Sequence, residues 1–312
     1  MKEEKIHINE LEANILRVLL YFDIFNHPLK PEELYIFLPQ NSLTFSSFIK
    51  ELSNIVERIE TNIKEKDCYY FSGNNFHYSD SRKVKESYSR KHWKVARLMT
   101  HLIKRFPFVR AVFITGSLSK NSSSKASDID FMIVTKKNRL WVARTMLMTF
   151  KKLFLFNKYK YFCINYSITE DHLEKEDKNN YTAIEVITSK ATYNSVMLKD
   201  FINSNLWLKS FMPNYSYEGS SLHTTDFKTN NRQSYLQRII EFCFPSALTN
   251  KLDKYLQIKT NEYWKKKHYN LPDSDREQMF RTKEGVSKVH PGNMQHKILG
   301  SYNNKLKEYN LI

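Results

Sequence analysis

VRAVFITGSLSKNSSSKASDIDFMIVT, residues 109–135, is the stretch that decides the fold. Two short apolar runs, 109–115 and 131–135, are rich in β-branched and aromatic residues, so each predicts a buried strand. The first run stops at Gly116-Ser117, and ten mostly polar residues lead from there to Asp128-Ile129-Asp130. The stretch therefore predicts two strands joined by a loop that starts with glycine and ends with paired carboxylates.

The paired carboxylates, Asp128 and Asp130, predict a metal site. In a strand, residues i and i+2 point to the same side, so both side chains would project together while Ile129 turns to the core. Neighbouring carboxylates repel each other and need a cation between them. Carboxylate oxygens suit Mg²⁺, which completes its shell with water and nucleotide phosphates.

Gly116 and Ser117 are suited to those phosphates. Glycine lets the backbone come close to a phosphate because it has no side chain. The hydroxyl of Ser117 can donate a hydrogen bond, and a helix beginning there would offer free N–H groups to an anion. The plain alternative is a chance Asp-x-Asp at a strand edge, since that pair alone is common.

This arrangement resembles the signature of the polymerase-β-type nucleotidyltransferase superfamily. That signature is a Gly-Ser or Gly-Gly pair, a spacer of about this length and an Asp-x-Asp or Asp-x-Glu, bracketed by two hydrophobic strands. The resemblance is specific over roughly residues 95–170. It implies an α/β nucleotidyltransferase core, with a small mixed sheet and helices on one face.

The resemblance also implies the roles of several residues. Asp128 and Asp130 would be the catalytic residues and would hold Mg²⁺ or Mn²⁺. An NTP, with ATP expected, would be the substrate. The residues expected to bind this nucleotide are Gly116, Ser117, Lys120 and Ser127.

A third carboxylate, which in the superfamily acts on the acceptor hydroxyl or holds the second metal, is not evident. The expected third strand, 161–168, reads YFCINYSI and contains no acid. Asn165 stands where an acid is expected, and an amide cannot take a proton as a carboxylate can. Asp171, with its neighbour Glu170, lies just past the strand and is a candidate substitute. Glu185, in the helix-like stretch 181–189, is expected on the substrate side and not at the metal.

Composition and charge bound the choice of partners. The chain has 312 residues, of which 41% are apolar, so it can form two or three domains with real cores. It carries 49 Lys and Arg against 33 Asp and Glu, a net charge of +16. This favours a polyanion such as nucleic acid or nucleotide, with a generally basic surface as an equal alternative. The best basic face belongs to the long helix predicted over 81–106 and comprises Arg82, Lys83, Lys85, Arg90, Lys91, Lys94 and Arg97.

The cysteines and the hydropathy suggest the compartment. Cys68, Cys163 and Cys243 are far apart, which argues against a zinc site or a disulfide framework and fits a reducing cytosol. The charged N-terminus lacks the apolar run of a signal peptide, and no stretch approaches ~18 consecutive apolar residues. We therefore expect a soluble, cytoplasmic protein without membrane contact, and the sequence leaves its oligomeric state open.

Three domains are expected: a winged-helix-like domain over 1–80, the nucleotidyltransferase core over 81–212 and a helical domain over 213–312. The first pattern consists of three short helices and a hairpin with strands near 59–63 and 69–71. Its third helix is weakly charged, so a packing or regulatory role is favoured over DNA reading. The polar residues 213–232 predict a linker or a long surface loop.

The expected activity is metal-dependent transfer of a nucleoside monophosphate from an NTP to an acceptor hydroxyl. The acceptor is left open among a protein side chain, a nucleic acid such as RNA, an antibiotic and a sugar. The alternative is a catalytically degenerate protein of the same fold that binds nucleotide or nucleic acid in a regulatory role. Asn165 favours the alternative, and the intact pair of Asp128 and Asp130 favours the enzyme.

Overall fold

The structure is a computed structural model that describes residues 9–40, 43–59, 62–72, 78–156, 160–218, 220–223 and 233–312. Its centre is a sheet of six strands, β3 (Val109–Thr115), β4 (Asp130–Thr135), β5 (Cys163–Thr169), β6 (Lys190–Tyr193), β7 (Thr282–Lys283) and β8 (Val286–Lys288). Their order is β6-β3-β4-β5-β8-β7, with β4 parallel to β5 and every other pair antiparallel. The predicted mixed sheet is therefore confirmed.

Helices from the first two thirds of the chain surround this sheet. Three lie before it: α1 (Glu10–Asp23), α2 (Pro31–Phe37) and α3 (Phe45–Arg58). Five more are α4 (Tyr78–Ile103), α5 (Gly116–Ser119), α6 (Leu140–Phe154), α7 (Asn180–Thr188) and α8 (Ser195–Asn203). A capping box sets the start of α1: the side chain of Asn9 accepts from the N–H of Glu12, whose carboxylate accepts from the N–H of Asn9.

Helices cover both faces of the sheet, and the expectation of helices on one face is wrong. Phe131 and Ile133 of β4 pack in one buried cluster with α4 and α6. Met132 and Val134 pack in another with α1, α7, α8 and the C-terminal helix. Residue alternation along a strand sends these pairs to opposite faces. A strand buried on both faces is continuously apolar, as 131–134 is, so its sequence does not show a solvent face.

The N-terminal region contains the predicted three helices and hairpin, although the first strand lies later than expected. Strands β1 (Ile63–Lys66) and β2 (Tyr69–Ser72) pair antiparallel around Asp67 and Cys68. Both turn residues have positive φ, 55° and 62°, as a two-residue hairpin turn requires. The turn expected at 64–67 is therefore mostly strand. A winged-helix identity for this region remains a prediction.

The C-terminal region is more than the helical domain that we expected. Its helices are α9 (Tyr235–Phe242), α10 (Ser246–Lys267), α11 (Asp273–Met279) and α12 (Met294–Glu308). Between α11 and α12, β7 and β8 form a hairpin that joins the central sheet beside β5. These strands have two and three residues, too few to show an alternating pattern. Half of the loop predicted over 213–232 lies outside the described residues.

One buried cluster joins the three predicted domains. It contains Leu16 of α1, Phe113 of β3 and Leu306 of α12. The boundaries near residues 80 and 212 stay predictions, but the core packs across both of them. Cys68, Cys163 and Cys243 are all free thiols. Within the described ranges, no helix combines the length and apolar character that crossing a membrane requires.

Truncation of Leu306 tests whether α12 belongs to this common core. The side chain is 6% exposed, so Leu306→Ala removes buried apolar surface and should lower the free energy of unfolding by ~2–5 kcal/mol. Leu248 of α10 is 65% exposed, and Leu248→Ala should change that free energy by no more than ~0.5 kcal/mol. Urea unfolding followed by circular dichroism measures both variants. Equal midpoints for Leu306→Ala and the parent protein would contradict the shared core.

Candidate functional site

The pairing of β3 with β4 brings the glycine and the second aspartate together. Thr115 at the end of β3 lies opposite Asp130 at the start of β4, so Gly116 follows directly beside that carboxylate. Gly116 has φ +67°, and a Cβ atom placed on it would lie 2.3 Å from Oδ2 of Asp130. Both the left-handed backbone and the lack of space require glycine at this position.

Asn165 reaches Asp130 through a β-bulge in β5. Phe131 lies opposite Ile164 and Met132 lies opposite Tyr166, so Asn165 is an extra residue without a partner on β4. Its amide Nδ2 donates to Oδ1 of Asp130 at 2.8 Å. A bulge changes the direction of the following side chains, and here Asn165 and Tyr166 both line the cavity beside Asp130.

Glu185 of α7 is a further acid near Asp130, and it contacts Gly116 and Lys120, two of the residues expected to bind nucleotide. Its Oε2 accepts from the N–H of Gly116 at 3.1 Å, and its Oε1 accepts from Nζ of Lys120 at 2.6 Å. Burial opposes ionisation of Glu185, but the charge and hydrogen bond of Lys120 outweigh it and hold its pKa below the ordinary value. In the sequence, Glu185 is set apart as the single acid within the largely apolar stretch 182–187.

These groups line a cavity of about 310 Å³ to which all three parts of the chain contribute. The core supplies Gly116, Ser117, Lys120, Asp130, Asn165 and Glu185. The remaining wall includes Tyr21 and Phe22 of α1, and His290 and Met294 near the start of α12. The C-terminal residues belong to no motif, so the sequence had no signal that placed them here.

Two of the predicted site residues belong to the loop before β4 and do not line the cavity. Asp128 is exposed and precedes the strand, although its charge is close enough to raise the pKa of Asp130. Ser127 does not contribute to the cavity lining. Its Oγ accepts from the N–H of Ser124 at 2.8 Å and thereby closes a turn. The structure therefore gives Ser127 a part in loop geometry, and its expected contact with nucleotide has no support.

Asp171 is not a substitute for the missing third acid. It lies beyond Thr169, at the end of β5 away from Asn165, and four strand steps of ~3.3 Å each separate Asn165 from Thr169. Its carboxylate accepts from the hydroxyl of Thr169 at 2.7 Å and pairs with Lys137 at 3.1 Å. Glu170 lies at the same end, where it accepts from the N–H of Lys137. The sequence shows only that Asp171 follows a strand, and it does not show at which edge of the sheet that strand ends.

The same cavity is lined by a second polar cluster. Nζ of Lys175 lies 3.0 Å from the centroid of the Tyr166 ring, and burial lowers the pKa of Lys175 well below its ordinary value. Asp177 accepts from Arg281 at 2.9 Å and from Lys288 at 2.8 Å. The cavity wall here therefore combines the basic side chains of Lys175 and Lys288 with the carboxylate of Asp177.

The electrostatics at Asp130 fit a cation. Burial first, then the charges of Glu185 and Asp128, raise the pKa of Asp130 from 3.8 to about 7. Within the described chain, no group of three or more His, Cys, Asp or Glu side chains is placed to hold a metal. Two carboxylates and the amide oxygen of Asn165 are nevertheless hard ligands, and Mg²⁺ commonly takes only one or two carboxylates besides phosphates and water.

Comparison with known proteins places this site within a family. Residues 95–203 match the family model described as a nucleotidyltransferase domain. This part of the chain is a nucleotidyltransferase domain. The match runs from the second half of α4 to α8 and includes Gly116, Asp130 and Glu185, so the resemblance to the polymerase-β type is confirmed. No curated protein and no solved structure matches the chain.

Substitution of Gly116 tests the contact at the centre of the domain. Gly116→Ala must relieve both the positive φ and the overlap with Asp130, so the variant should lose ~1–3 kcal/mol of unfolding free energy. Gly300 in α12 is the control, because a Cβ there meets no atom within 4 Å. Gly300→Ala should stabilise the protein by about 0.5–1 kcal/mol. Denaturant unfolding compares the two, and a shift in the same direction would argue against the close approach.

The pH dependence of stability tests the environment of Asp130. Its pKa is raised from 3.8 to about 7, so the folded protein binds the proton more tightly than the unfolded chain. Its contribution to stability therefore falls as the pH rises through this window. Asp130→Asn should remove that fall, and the variant should gain in stability relative to the parent protein between about pH 4 and pH 7.

Asp171→Asn is the matched control for this measurement. Hydrogen bonds from Thr169 and Lys137 outweigh burial and lower the pKa of Asp171 to about 2. This carboxylate stabilises the folded state above the unfolded pKa of 3.8 and loses that effect as the pH falls towards 2. Asp171→Asn should thus lower stability at neutral pH, opposite to Asp130→Asn. Urea unfolding of both variants at a series of pH values tests this difference. If the stabilities of the two variants changed in the same direction, the environment assigned to Asp130 would be wrong.

Proposed function

We propose that the protein is a metal-dependent nucleotidyltransferase that transfers a nucleoside monophosphate from an NTP, with ATP expected, to an acceptor hydroxyl. The observation that carries this proposal is the contact of Gly116 with the carboxylate of Asp130 in the wall of one cavity. A backbone position that can approach phosphate and a carboxylate that can hold a cation thereby meet at one place. The family match over residues 95–203 supports the same reaction class.

Asp128 and Asp130 would hold Mg²⁺ or Mn²⁺, with the side-chain oxygen of Asn165 as a further donor. The bound ion would supply positive charge that stabilises the developing charge on the phosphorus and aligns the reacting oxygens. The hydrogen bond from Asn165 to Asp130 orients this carboxylate before any ligand arrives. A positioned carboxylate reduces the reorganisation that the reaction requires.

Gly116, Ser117 and Lys120 would bind the phosphates. Lys120 lines the cavity and donates to Glu185 and to the carbonyl of Gly116, so its ammonium group is held at the glycine turn. Phe22 and Tyr21 form an apolar wall of the same cavity, suited to the nucleobase. The acceptor oxygen bonds to the α-phosphorus, the bond to the leaving pyrophosphate breaks, and the hydroxyl proton passes to water.

No strong general base of this protein is placed to take the proton from the acceptor hydroxyl among the described residues of the site. The amide of Asn165 occupies the position expected for the third acid and donates to Asp130, so it does not accept the proton. General-base assistance is typically worth ~10²–10⁴-fold in rate. We therefore expect a slow transferase.

A catalytically degenerate nucleotide-binding protein is the second candidate. The observation that favours it is again Asn165, together with the ion pair of Lys120 with Glu185, which neutralises one cation at the phosphate position. Such a protein would bind Mg²⁺ and NTP without turnover. The free thiols of Cys68, Cys163 and Cys243 support a reducing, cytoplasmic location for either candidate.

Three Asp/Asn exchanges test the transferase. Asp130→Asn should reduce turnover by at least about 10²-fold, because several kcal/mol of charge stabilisation depend on this ligand. Asn165→Asp should leave turnover intact or raise it. Asp171→Asn, the same chemical change at the other end of β5, should have no effect. Release of pyrophosphate from NTP with Mg²⁺ and candidate acceptors measures all three variants.

Calorimetry with and without EDTA separates the two candidates. Nucleotide binding that requires Mg²⁺ and is lost in Asp130→Asn, without pyrophosphate release, would establish the binding protein. Turnover that survives Asp130→Asn, or that Asp171→Asn damages equally, would remove the site from both proposals.

A further inference from the structure

The basic face of α4 divides into two parts with different roles. Arg82 is buried and pairs with Glu33 at 2.7 Å and with Glu86 at 3.2 Å. Lys85 donates to the carbonyls of Phe25 and Asn26 at the end of α1. The first turns of α4 therefore use their cations to hold the N-terminal helices, and these charges are satisfied within the protein.

The next turns of α4 carry cations into a groove. Arg90, Lys94 and Arg97 recur at steps of four and three residues, so they lie along one side of the helix and line a cavity of about 640 Å³. Arg90 and Lys94 are exposed, and neither has a hydrogen-bond or ion-pair partner among the described residues. We call this cavity the α4 groove.

The α4 groove has a surplus of positive charge. Seven Lys or Arg side chains and three Glu side chains line it. Two of the three, Glu33 and Glu86, are already bound to Arg82. Lys30, the residue before α2, and Lys190 of β6 also line the groove. A groove in which cations outnumber acids attracts an anionic ligand.

The α4 groove lies one helical turn away from the cavity that contains Gly116 and Asp130. Gly116 and Ser117 of α5 line the cavity, Ser119 lines the groove, and Lys120 lines both. Four helical residues span ~6 Å, so an anion in the groove lies close to the reacting groups. The indole N–H of Trp93 donates to Asn121 at 2.9 Å. This hydrogen bond connects α4 to the turn after α5 and so fixes the groove relative to the cavity.

We propose that the α4 groove binds a single-stranded nucleic acid whose terminal hydroxyl is the acceptor. Cations repeated along one helix match the repeated phosphates of such a strand, and a single strand is held mainly through its backbone in a basic groove. A strand end also carries a hydroxyl next to its last phosphate, as the reaction requires. This acceptor assignment rests on the proposed transferase, whereas the binding itself does not.

A matched pair of double variants tests the groove. In Arg90→Ala with Lys94→Ala, two phosphate contacts are lost. Each is worth about 0.7 in the slope of log K against log salt for a single strand, so the slope should fall by about 1.4 and affinity at 0.1 M salt by roughly 25-fold. Lys265→Ala with Lys266→Ala removes two exposed cations at the end of α10 and should leave both unchanged. Fluorescence anisotropy with labelled 12-nucleotide RNA and DNA of one sequence provides the affinities.

Several outcomes would overturn the proposal. These are no binding of either oligonucleotide at low salt, equal losses in the two double variants, or equally effective displacement by poly-glutamate. Binding of RNA or of DNA supports the proposal. The oligonucleotide that binds more tightly shows whether the groove prefers ribose or deoxyribose. Calorimetry with Mg²⁺ and ATP should give the same affinity in both double variants.

The failure of the groove and the failure of the transferase are separable. Oligonucleotide binding that depends on Arg90 and Lys94, without pyrophosphate release, would refute the reaction and leave the groove. Pyrophosphate release with another acceptor, unaffected by Arg90→Ala with Lys94→Ala, would refute the groove as the acceptor site and leave the reaction.

Discussion

The antiparallel pairing of β3 with β4 is the constraint on which the site depends. Its register sets Thr115 opposite Asp130, and the next residue must then turn away directly against a carboxylate. A Cβ on Gly116 would lie 2.3 Å from that carboxylate, so the chain can continue only through a residue without one. The backbone of Gly116 and the oxygens of Asp130 are consequently held together before any ligand binds.

Charge balance then determines how the other polar groups are arranged. Asp128, Asp130 and Glu185 bring like charges close together. Lys120 forms an ion pair with Glu185, and its charge only partly offsets the effect of burial and the neighbouring acids on Asp130. The repulsion is not fully compensated at Asp130, because burial and the neighbouring acids raise its pKa to about 7. This carboxyl group therefore favours a bound proton or cation near neutral pH. The amide of Asn165 supports this carboxylate without adding a further negative charge.

The cavity is a product of the whole chain, because the core of the protein is shared. Helix α1 closes the cavity with Tyr21 and Phe22, and the segment before α12 closes it with His290. Helix α4 links these parts: its first cations fasten the N-terminal helices, and its later cations line the α4 groove. The nucleotidyltransferase domain is therefore surrounded by segments that line its cavity and also complete its hydrophobic core.

Local patterns in the sequence determined the strands 109–115 and 131–135 and the long helix α4. The spacing from Gly116 to Asp130 indicated the family. Such features depend on neighbours within a few residues, so periodicity and spacing reveal them. The tertiary structure alone decided which sheet edge each loop reaches. It carried Asp171 away from Asp130, used a bulge to direct Asn165 toward it, and brought Glu185 and His290 to the same cavity. Contacts between residues this far apart in the chain depend on strand order and register, which no short stretch of sequence encodes.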